Sequence, residues 1–599
     1  MRQLDFIVIA FLAACVLGTS GCRTEAEAGT ESASILSAAP RADPPRSGRD
    51  PSTLPDPLPR QLNGPVARGT TEVFTIDTNT FGRRIDRRRF DGVGVRPASF
   101  LPPHRKPKLD FDRPENDLPV GDPVPIARTT PENAFPGIRQ TPWSPPDPSI
   151  AVGPQHVLET VNMKIAWFDK SGTPQFEQFL DDTGDPGFFE EVGAGGFTFD
   201  PKCFYDPHAE RYVVLALEFY SGAGEAWMTF AVSDDDDPDG LWFKYRTWAL
   251  IESEGSEYWV DYPGFGYDEN AWYITSNLFE LGNGPGPGFL GGLVRVIDKS
   301  GPLSGETAEW SDLIAGGASW QVAQAPAAGQ STRIVRQAGG DQLEIGRIED
   351  PLGDAVLTTA LVDVPNVDFD NAAPTPVGDG LWIVDPRIIN ATIRDEVLWL
   401  GNHGRRPGST VASAVWYAID CGTDPPLLDQ AGAFTFANDE HSFFPALAVN
   451  GLGDAAIGFG RSGPGLDPVI EVAGRRATDP PGTMSTSVRV GASVTSPTGG
   501  GGPDGLSRWG DYFDCTVDPV DDRTFWMVGE LQDADGWTTE IHRFTVGLAA
   551  DLNGDGVVNG ADFGLLLAAF GDAGGPADLN RDGLVDGGDA GLMLSDWSD

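Results

Sequence analysis

The chain has 599 residues, enough for several domains, and a formal net charge of −46 from 88 acidic and 42 basic residues. This charge would repel nucleic-acid phosphates, which excludes nucleic acid as the main partner. Glycine (75) and proline (50) are abundant, a composition that favours turn-rich β structure over long helices.

Residues 1–22 have the features of an export signal. Arg2 is followed by an apolar stretch from Phe6 to Leu17, too short to span a membrane, and small residues then lead to Cys22. Cys22 is the preferred lipidation site and Cys15 the alternative; an ordinary signal peptide with incidental cysteines is also open. The mature protein is therefore expected outside the cytoplasm, either secreted or held on an outer or cell-surface membrane through that lipid.

Two segments with little apolar content follow the signal. Residues 23–70 are rich in Ala, Ser, Pro, Gly and charged residues, which predicts a disordered linker. Residues 71–142 carry short apolar pieces between many prolines. We expect them to form an extended arm that lies on the domain that follows.

The segment 143–548 repeats. Seven times a short strand, a polar turn and a more apolar strand follow one another, with starts at 150, 204, 265, 325, 388, 447 and 515. Units of this length predict a mainly β fold, a β-propeller of about seven four-stranded blades, in which ring closure removes free sheet edges. Six or eight blades and a pair of β-sandwiches are the alternatives. The motif Trp509-Gly-Asp-Tyr512 loosely resembles motifs of secreted bacterial β-propeller proteins, a resemblance that implies no particular activity.

Acidic residues precede or begin several of the predicted first strands. They are Asp147, Asp200, Asp261, Asp385 and Asp511. If the first strand of each unit is the innermost one, these carboxylates meet at one mouth of a central channel. There they would bind a cation, a polyhydroxylated ligand or a cationic ligand, which would offset their mutual repulsion. The alternative is that each Asp caps its own turn by accepting backbone N–H hydrogen bonds.

Catalytic residues cannot be assigned from the sequence. A glycoside hydrolase needs a proton donor and a second carboxylate, but carboxylates are too numerous here to select a pair. We find no Gly-x-Ser-x-Gly nucleophile motif, no HExxH-type zinc arrangement and no phosphate-binding loop. The three cysteines of the body, Cys203, Cys421 and Cys515, are predicted to be buried thiols.

Two loops in the C-terminal segment, 549–599, have the spacing of calcium ligands. Oxygen-bearing side chains occupy positions one, three, five, nine and twelve of each loop: Asp551, Asn553, Asp555, Asn559 and Asp562, then Asp578, Asn580, Asp582, Asp586 and Asp589. Val557 and Leu584, at position seven, would contribute backbone carbonyls. Glycine at position six of both loops, Gly556 and Gly583, allows the sharp turn that the ion requires. The pattern predicts two Ca²⁺ ions, one in each loop.

A short apolar helix is predicted after each loop, which makes the segment a small α duplex. Loop then helix, twice, with Asp at position twelve, resembles the type I dockerin module over residues 551–599. The resemblance implies two bound Ca²⁺ ions and docking onto a cohesin-like protein. Positions ten and eleven are Gly560-Ala561 and Gly587-Gly588. In that family they are often Ser-Thr-like pairs that contact cohesin, so cohesin recognition does not follow. Docking onto the propeller of the same chain and pairing with a second copy are the alternatives.

These features predict an exported protein that binds or scaffolds extracellular polysaccharide or protein partners. The alternative function is a glycoside hydrolase with the propeller as its catalytic domain.

Overall fold

A computed structural model of the chain describes residues 60–61, 67–78, 94–95 and 128–597, apart from 184–185, 282–287, 549, 554–556, 574–576 and 580–583. The predicted signal and both candidate lipidation sites, Cys15 and Cys22, lie outside these residues. Strands dominate the described part, which confirms the prediction of a mainly β fold. No helix in the described ranges is long and apolar enough to cross a membrane.

The described strands of the body fall into seven groups of four antiparallel strands, called repeats 1 to 7. Repeats 4 and 5 belong to one sheet, because their first strands pair in parallel. Repeat 1 consists of Ser149–Val152, His156–Val161, Lys164–Asp169 and Pro174–Phe179. Repeat 2 consists of Thr198–Asp206, Arg211–Tyr220, Glu225–Ser233 and Leu241–Trp248. Repeat 3 consists of Ser256–Tyr267, Ala271–Glu280, Phe289–Asp298 and Ala308–Ala315. Repeat 4 consists of Gln321–Gln324, Ile334–Gly339, Gln342–Glu349 and Val356–Asp363. Repeat 5 consists of Ala391–Arg394, Val397–Arg405, Ala412–Asp420 and Leu427–Phe434. Repeat 6 consists of His441–Val449, Ala455–Gly463, Leu466–Arg475 and Val488–Ala492.

Repeat 7 takes its fourth strand from the N-terminal side of the body. Its strands are Asp514–Val517, Phe525–Gln532, Trp537–Gly547 and Arg128–Arg139. Further N-terminal strands extend other repeats: Phe74–Asp77 joins repeat 2, Ala67–Thr71 joins repeat 3 and Arg60–Gln61 joins repeat 4. The sheet structure therefore begins before residue 143, and parts of the predicted linker and arm are edge strands.

Short elements connect the repeats. The short strands are Gly94–Val95, Trp143–Ser144, Ile251–Ser253, Ala372–Ala373, Leu381–Trp382 and Ser507–Arg508. One helical turn spans Ser300–Leu303, and 3₁₀ turns span Glu190–Val192 and Pro503–Gly505. The C-terminal segment contains two helices, Gly560–Ala568 and Gly587–Ser595.

The first strands of the repeats contact one another in chain order, and the first strand of repeat 7 contacts that of repeat 1. Large side chains fill the space between neighbouring sheets. Phe204 of repeat 2 lies 4.4 Å from Phe265 of repeat 3 between ring centroids, and Trp167 and Trp242 are fully buried between repeats 1 and 2. Burial of these facing surfaces removes apolar area from water and stabilises the circuit.

Two of the seven sequence repeats differ in register from the observed strands. The first strand of repeat 4 is Gln321–Gln324, which ends just before the predicted start at residue 325. The first strand of repeat 5 is Ala391–Arg394, three residues after the predicted start at 388. Cys203, Cys421 and Cys515 are buried thiols without a disulfide partner among the described residues, as the sequence predicts.

Candidate functional site

A left-handed backbone conformation recurs at or before the first strand of each repeat. The residues have φ between 46° and 57°: Asp147, Asp200, Tyr262, Ser319, Val384, Phe444 and Gly510. In repeats 2, 3 and 6 this residue lies in a β-bulge, where the pairing register with the second strand shifts. Bulges change the direction of side chains next to functional sites. The left-handed residue itself recurs in each of the seven repeats.

Three of the five predicted aspartates converge at these positions. Asp147 and Asp200 occupy the left-handed position themselves, and Asp511 follows the left-handed Gly510. One carboxylate oxygen from each of the three lies within 4.8 Å of the other two, and all three residues are fully buried. The structure therefore forms a carboxylate group from repeats 1, 2 and 7, called here the aspartate centre.

Asn162 links two members of the aspartate centre. Its Nδ2 donates to Asp147 Oδ2 at 2.7 Å, and its Oδ1 accepts a hydrogen bond from the Asp200 backbone N–H at 2.9 Å. The backbone N–H of Asp511 donates to Asp147 Oδ1 at 2.6 Å. Asp147 thus accepts hydrogen bonds from outside its own turn, which differs from the capping alternative.

Two buried cations flank the aspartate centre. Arg508 Nη2 lies 2.5 Å from Asp511 Oδ1, and Arg508 Nη1 donates to the Gly510 carbonyl at 2.8 Å. The Lys202 ammonium lies 3.0 Å from the centroid of the Tyr512 ring. Burial lowers the pKa of Lys202 to about 8, although the nearby negative charge of Asp514 and Asp147 opposes this shift.

Two more carboxyl groups are buried beside the centre. Glu530, on the second strand of repeat 7, is 2% exposed. Burial and the negative charge of Asp147 raise its pKa well above the usual value for glutamate, while Arg508 opposes the shift. Asp514 accepts from Ser149 Oγ at 2.7 Å and from the Ile150 N–H at 3.2 Å, and burial raises its pKa.

The other two predicted aspartates are not part of this group. Asp385 forms an ion pair with Arg387, whose Nε lies 2.7 Å from Asp385 Oδ1. The Arg387 guanidinium in turn lies 4.3 Å from the centroid of the Tyr262 ring. Asp261 lies on the first strand of repeat 3, one residue before the left-handed Tyr262, and pairs in register with Asn277. Successive strand side chains point to opposite faces, so an offset of one residue redirects a side chain.

A cavity of about 160 Å³ lies at the other ends of the first strands. All seven repeats contribute to its wall, which carries Gln324, Asn390, Thr392, Thr516, Tyr205 and Tyr267. Arg394 donates to both carboxylate oxygens of Asp522 in this wall, at 2.9 and 2.8 Å, so the two charges neutralise each other. Apolar side chains, including Leu447, Val449 and Val517, also line the wall, so the cavity is a mixture of apolar, aromatic and polar surface with little net charge.

In the C-terminal segment, the described ligand candidates lie around two equivalent helix starts. Asn559 and Asp562 form a reciprocal capping box at the first helix, and Asp586 and Asp589 form the same box at the second. The Asp562 carboxylate also accepts a hydrogen bond from the Asn553 N–H at 3.0 Å. Asp551, Val557, Asp578 and Leu584 are described, whereas Asp555, Asn580 and Asp582 lie outside the described residues.

The core of this segment has the period of its sequence. Three pairs of buried residues, each pair 27 residues apart, form its centre: Ala550 and Ala577, Val558 and Val585, and Leu566 and Met593. Equivalent residues of the two halves thus lie in one buried apolar cluster.

Four further residues at or beside the aspartate centre were not predicted from the sequence: Asn162, Lys202, Arg508 and Glu530. Lys202 had a usable signal, since it stands two residues after Asp200 on the same strand. Arg508 precedes Asp511 by three residues, next to the Trp509-Gly-Asp-Tyr512 motif. Asn162 and Glu530 lie on other segments, and only the fold brings them near the aspartates.

No protein family and no curated protein matches this sequence. Among solved structures, the chain is similar to the sialidase of Trypanosoma rangeli, with 12% identity and a TM-score of 0.32 over 67% of this chain and 59% of the sialidase. The chain thus spans about three-fifths of that enzyme's length. It is also similar to an endo-arabinase from Bacteroides thetaiotaomicron (12% identity, TM-score 0.27, 56% of this chain and 95% of the other). A protein of unknown function from Dyadobacter fermentans gives 10% identity and a TM-score of 0.31, over 71% of this chain and 100% of the other. At these TM-scores the likenesses indicate no activity and place no residue.

Proposed function

We propose that this chain is an exported β-propeller of seven blades with a C-terminal calcium-binding duplex, and that the propeller binds a neutral, polyhydroxylated ligand of the polysaccharide class. Seven blades are supported by the contacts between consecutive first strands, which return from repeat 7 to repeat 1. The left-handed residue that recurs in every repeat supports the same number.

The composition of the cavity wall is the observation that carries the ligand class. The Gln324 amide and the Thr516 hydroxyl stand in this wall and provide hydrogen-bond donors and acceptors. Asn390 and Thr392 add polar atoms, although Asn390 already exchanges hydrogen bonds with the Leu447 backbone and Thr392 donates to the Gln324 carbonyl. Tyrosine rings add apolar faces, and the Arg394–Asp522 pair leaves the wall nearly neutral. Sugars present hydroxyl groups and apolar ring faces together, so this wall suits them better than it suits an ion or a purely apolar ligand.

A glycoside hydrolase is the second candidate function. Glu530 beside Asp147 favours it, because burial and the charge of Asp147 raise the Glu530 pKa, and such enzymes use two carboxyl groups of which one has a raised pKa. Binding without cleavage is favoured by the burial of both residues. The described cavity wall also contains one carboxylate, Asp522, which is held by Arg394.

A glycan array with the full-length protein tests the proposed function, with turnover measured on every glycan retained. We expect retention without cleavage, and at least tenfold weaker binding after Gln324→Leu, which removes an amide from the cavity. The control is Gln175→Leu on the outer strand of repeat 1, outside the cavity wall, which should leave binding unchanged.

Three outcomes contradict this assignment in different ways. If no glycan is retained, the ligand class is wrong. If Gln324→Leu leaves retention unchanged, the cavity is not the binding site. If glycans are cleaved, the hydrolase is correct, and Asp147, Asp200, Asp511 and Glu530 are the residues to replace first.

We further propose that the duplex binds two Ca²⁺ ions and docks through its exposed apolar side chains. The ten candidate side chains recur at one spacing, and the two capping boxes are equivalent. Exposed leucines also recur 27 residues apart, Leu565 with Leu592 and Leu567 with Leu594. A cohesin-like partner, the propeller of the same chain and a second copy are the candidate surfaces for them.

Chelation of the full-length protein tests the calcium proposal. Seven of the ten candidate side chains are Asp, and their repulsion should loosen the segment once the ions are removed. We expect hydrogen exchange to accelerate across 550–597, while the seven repeats stay folded at the temperature of the experiment. Asp562→Ala and Asp589→Ala should each remove one bound ion. Exchange in 550–597 that does not respond to chelator would contradict the proposal.

The proposed export and lipid anchor rest on the sequence of residues 1–22. If Cys22 carries the lipid, Cys22→Ser should move the protein from the detergent phase to the aqueous phase in a detergent partition assay. If Cys15 carries it, Cys15→Ser should do so instead.

A further inference from the structure

The aspartate centre joins segments that are distant in sequence. Asp147 precedes the first strand of repeat 1, Asp200 lies on the first strand of repeat 2, and Asp511 precedes the first strand of repeat 7. Their carboxylate oxygens lie within 4.8 Å of one another and none of the three residues is exposed. Like charges this close in a region of low dielectric repel strongly unless something offsets them.

The buried cations offset only part of this charge. Arg508 pairs with Asp511, and the Lys202 ammonium lies over Tyr512 in the field of Asp147 and Asp514. The buried Arg387 also acts on Asp511, but it is paired with Asp385. Against these three cations stand the three aspartates, Asp385, Asp514 and Glu530. The surroundings therefore carry more carboxyl groups than cationic groups.

Glu530 gives a second, independent indication of a ligand. Its Oε2 is buried and has no hydrogen-bond partner among the described residues. The oxygen faces the same space as Asp147: a methyl group built on Gly510 would lie 3.4 Å from Glu530 Oε2 and 3.7 Å from Asp147 Oδ1. A buried carboxyl oxygen without a partner is costly, and an ion or an ordered water is the usual reason for one.

The spacing of the oxygens suits calcium. Ca²⁺ binds carboxylate oxygens at about 2.3–2.6 Å, so two oxygens on one ion can be up to about 5 Å apart. The limit of 4.8 Å in the aspartate centre lies inside that range. Mg²⁺ binds at about 2.0–2.1 Å, which limits two of its ligands to about 4 Å. Ca²⁺ therefore accepts any separation up to the 4.8 Å bound, whereas Mg²⁺ accepts only the shorter separations.

We propose that a Ca²⁺ ion binds in the aspartate centre, held by Asp147, Asp200 and Asp511 with Glu530 facing it, and that the ion fastens repeats 1 and 2 to repeat 7. This site is distinct from the two loops of the C-terminal duplex. It lies where the end of the circuit meets its beginning, so the ion stabilises closure of the circuit.

The test counts calcium bound to the full-length protein after chelation and return to calcium buffer. We expect Asp200→Asn to bind one Ca²⁺ per chain fewer than the wild type, because the amide keeps the shape of the side chain but not its charge. Asp261→Asn is the matched control, since Asp261 is a buried aspartate that is not part of the centre, and it should bind the wild-type number. The difference of one ion does not depend on whether the duplex binds two.

A melting experiment gives the second readout. Chelator should lower the melting temperature of the seven repeats in the wild type and in Asp261→Asn, and should have no such effect in Asp200→Asn. If Asp200→Asn does not fold, Glu530→Gln decides instead, with an expected loss of at least tenfold in affinity for this one ion. A wild-type calcium count in Asp200→Asn, or unchanged affinity in Glu530→Gln, would overturn the proposal.

Discussion

Single buried carboxyl groups set much of the chemistry of this molecule. Glu159, on the second strand of repeat 1, is fully buried and accepts a hydrogen bond from the Ile138 N–H at 2.8 Å. Burial raises its pKa from 4.5 to about 8, although the hydrogen bonds from Thr539 and Ile138 oppose the shift. Glu159 is therefore protonated in the folded protein at neutral pH and ionised in the unfolded chain.

The Glu159 shift makes stability depend on pH. The folded state holds a proton that the unfolded state releases, so the free energy of unfolding should fall as pH rises from about 4.5 to about 8. The total effect is on the order of 5 kcal/mol, at about 1.36 kcal/mol per pKa unit. Glu159→Gln should flatten this part of the curve in urea titrations at several pH values. The control, Glu257→Gln, changes an exposed residue and should keep the wild-type slope. An equally steep curve in Glu159→Gln would contradict the assignment.

The aspartate centre shows how far residues can be placed from sequence. The repeat indicates which aspartates stand near the first strands, and three of the five meet. The sequence pattern does not resolve a shift of one residue. Asp261 stands one residue before the left-handed residue of repeat 3, and Asp385 stands one residue after that of repeat 5. Nor can it place Asn162 or Glu530, because those side chains reach the centre through pairing between distant segments.

At the scale of elements, the strand Arg128–Arg139 carries the closure of repeat 7. It pairs along Trp537–Gly547, with register shifts near Pro131 and Pro136. Proline lacks the N–H that an inner strand must donate, so it is tolerated at a sheet edge or a bulge. Those prolines are also why the sequence predicts an arm here rather than a strand.

By contrast, apolar alternation made most inner strands predictable. It failed at repeat 5, where Ile388 and Ile389 are buried ahead of the strand.

Phe135 anchors this outer strand. Its ring is 6% exposed and lies 5.5 Å from the Phe168 ring and 6.3 Å from the Trp526 ring, centroid to centroid. Phe135→Ala should lower the free energy of unfolding by about 3 kcal/mol or more, as large-to-small changes in a packed core do. Phe74→Ala is the control on another N-terminal strand, where the side chain is 51% exposed. It should change stability by less than about 0.5 kcal/mol. Equal losses in both variants, measured in urea, would show that the strand is not anchored by Phe135.

At the scale of the whole molecule, charge opposes compactness. The chain has a formal net charge of −46, and like charges repel more strongly when folding brings them together. Raising the salt concentration from about 0.01 to about 0.15 M shortens the screening length from about 30 to about 8 Å. In the presence of chelator, the melting temperature should therefore rise by a few degrees over this range, for NaCl and KCl alike. A flat or falling melting temperature in calorimetry would show that repulsion does not limit stability.

Strand exchange between the two ends of the body also has a consequence for the order of events during synthesis. The Thr539 hydroxyl donates a hydrogen bond to the Ile138 carbonyl, although the two residues are 401 positions apart in the sequence. The strand that contains Ile138 leaves the ribosome before the four-stranded repeats and lacks its pairing strand, Trp537–Gly547, until almost the whole body has been made. Contacts between such distant residues are slow to form, because the intervening chain must be brought together against its entropy. Repeat 7 should consequently stay open until synthesis is nearly complete. A product that stops before Trp537 has an N-terminal strand with nothing to pair with, and remains a target for proteases.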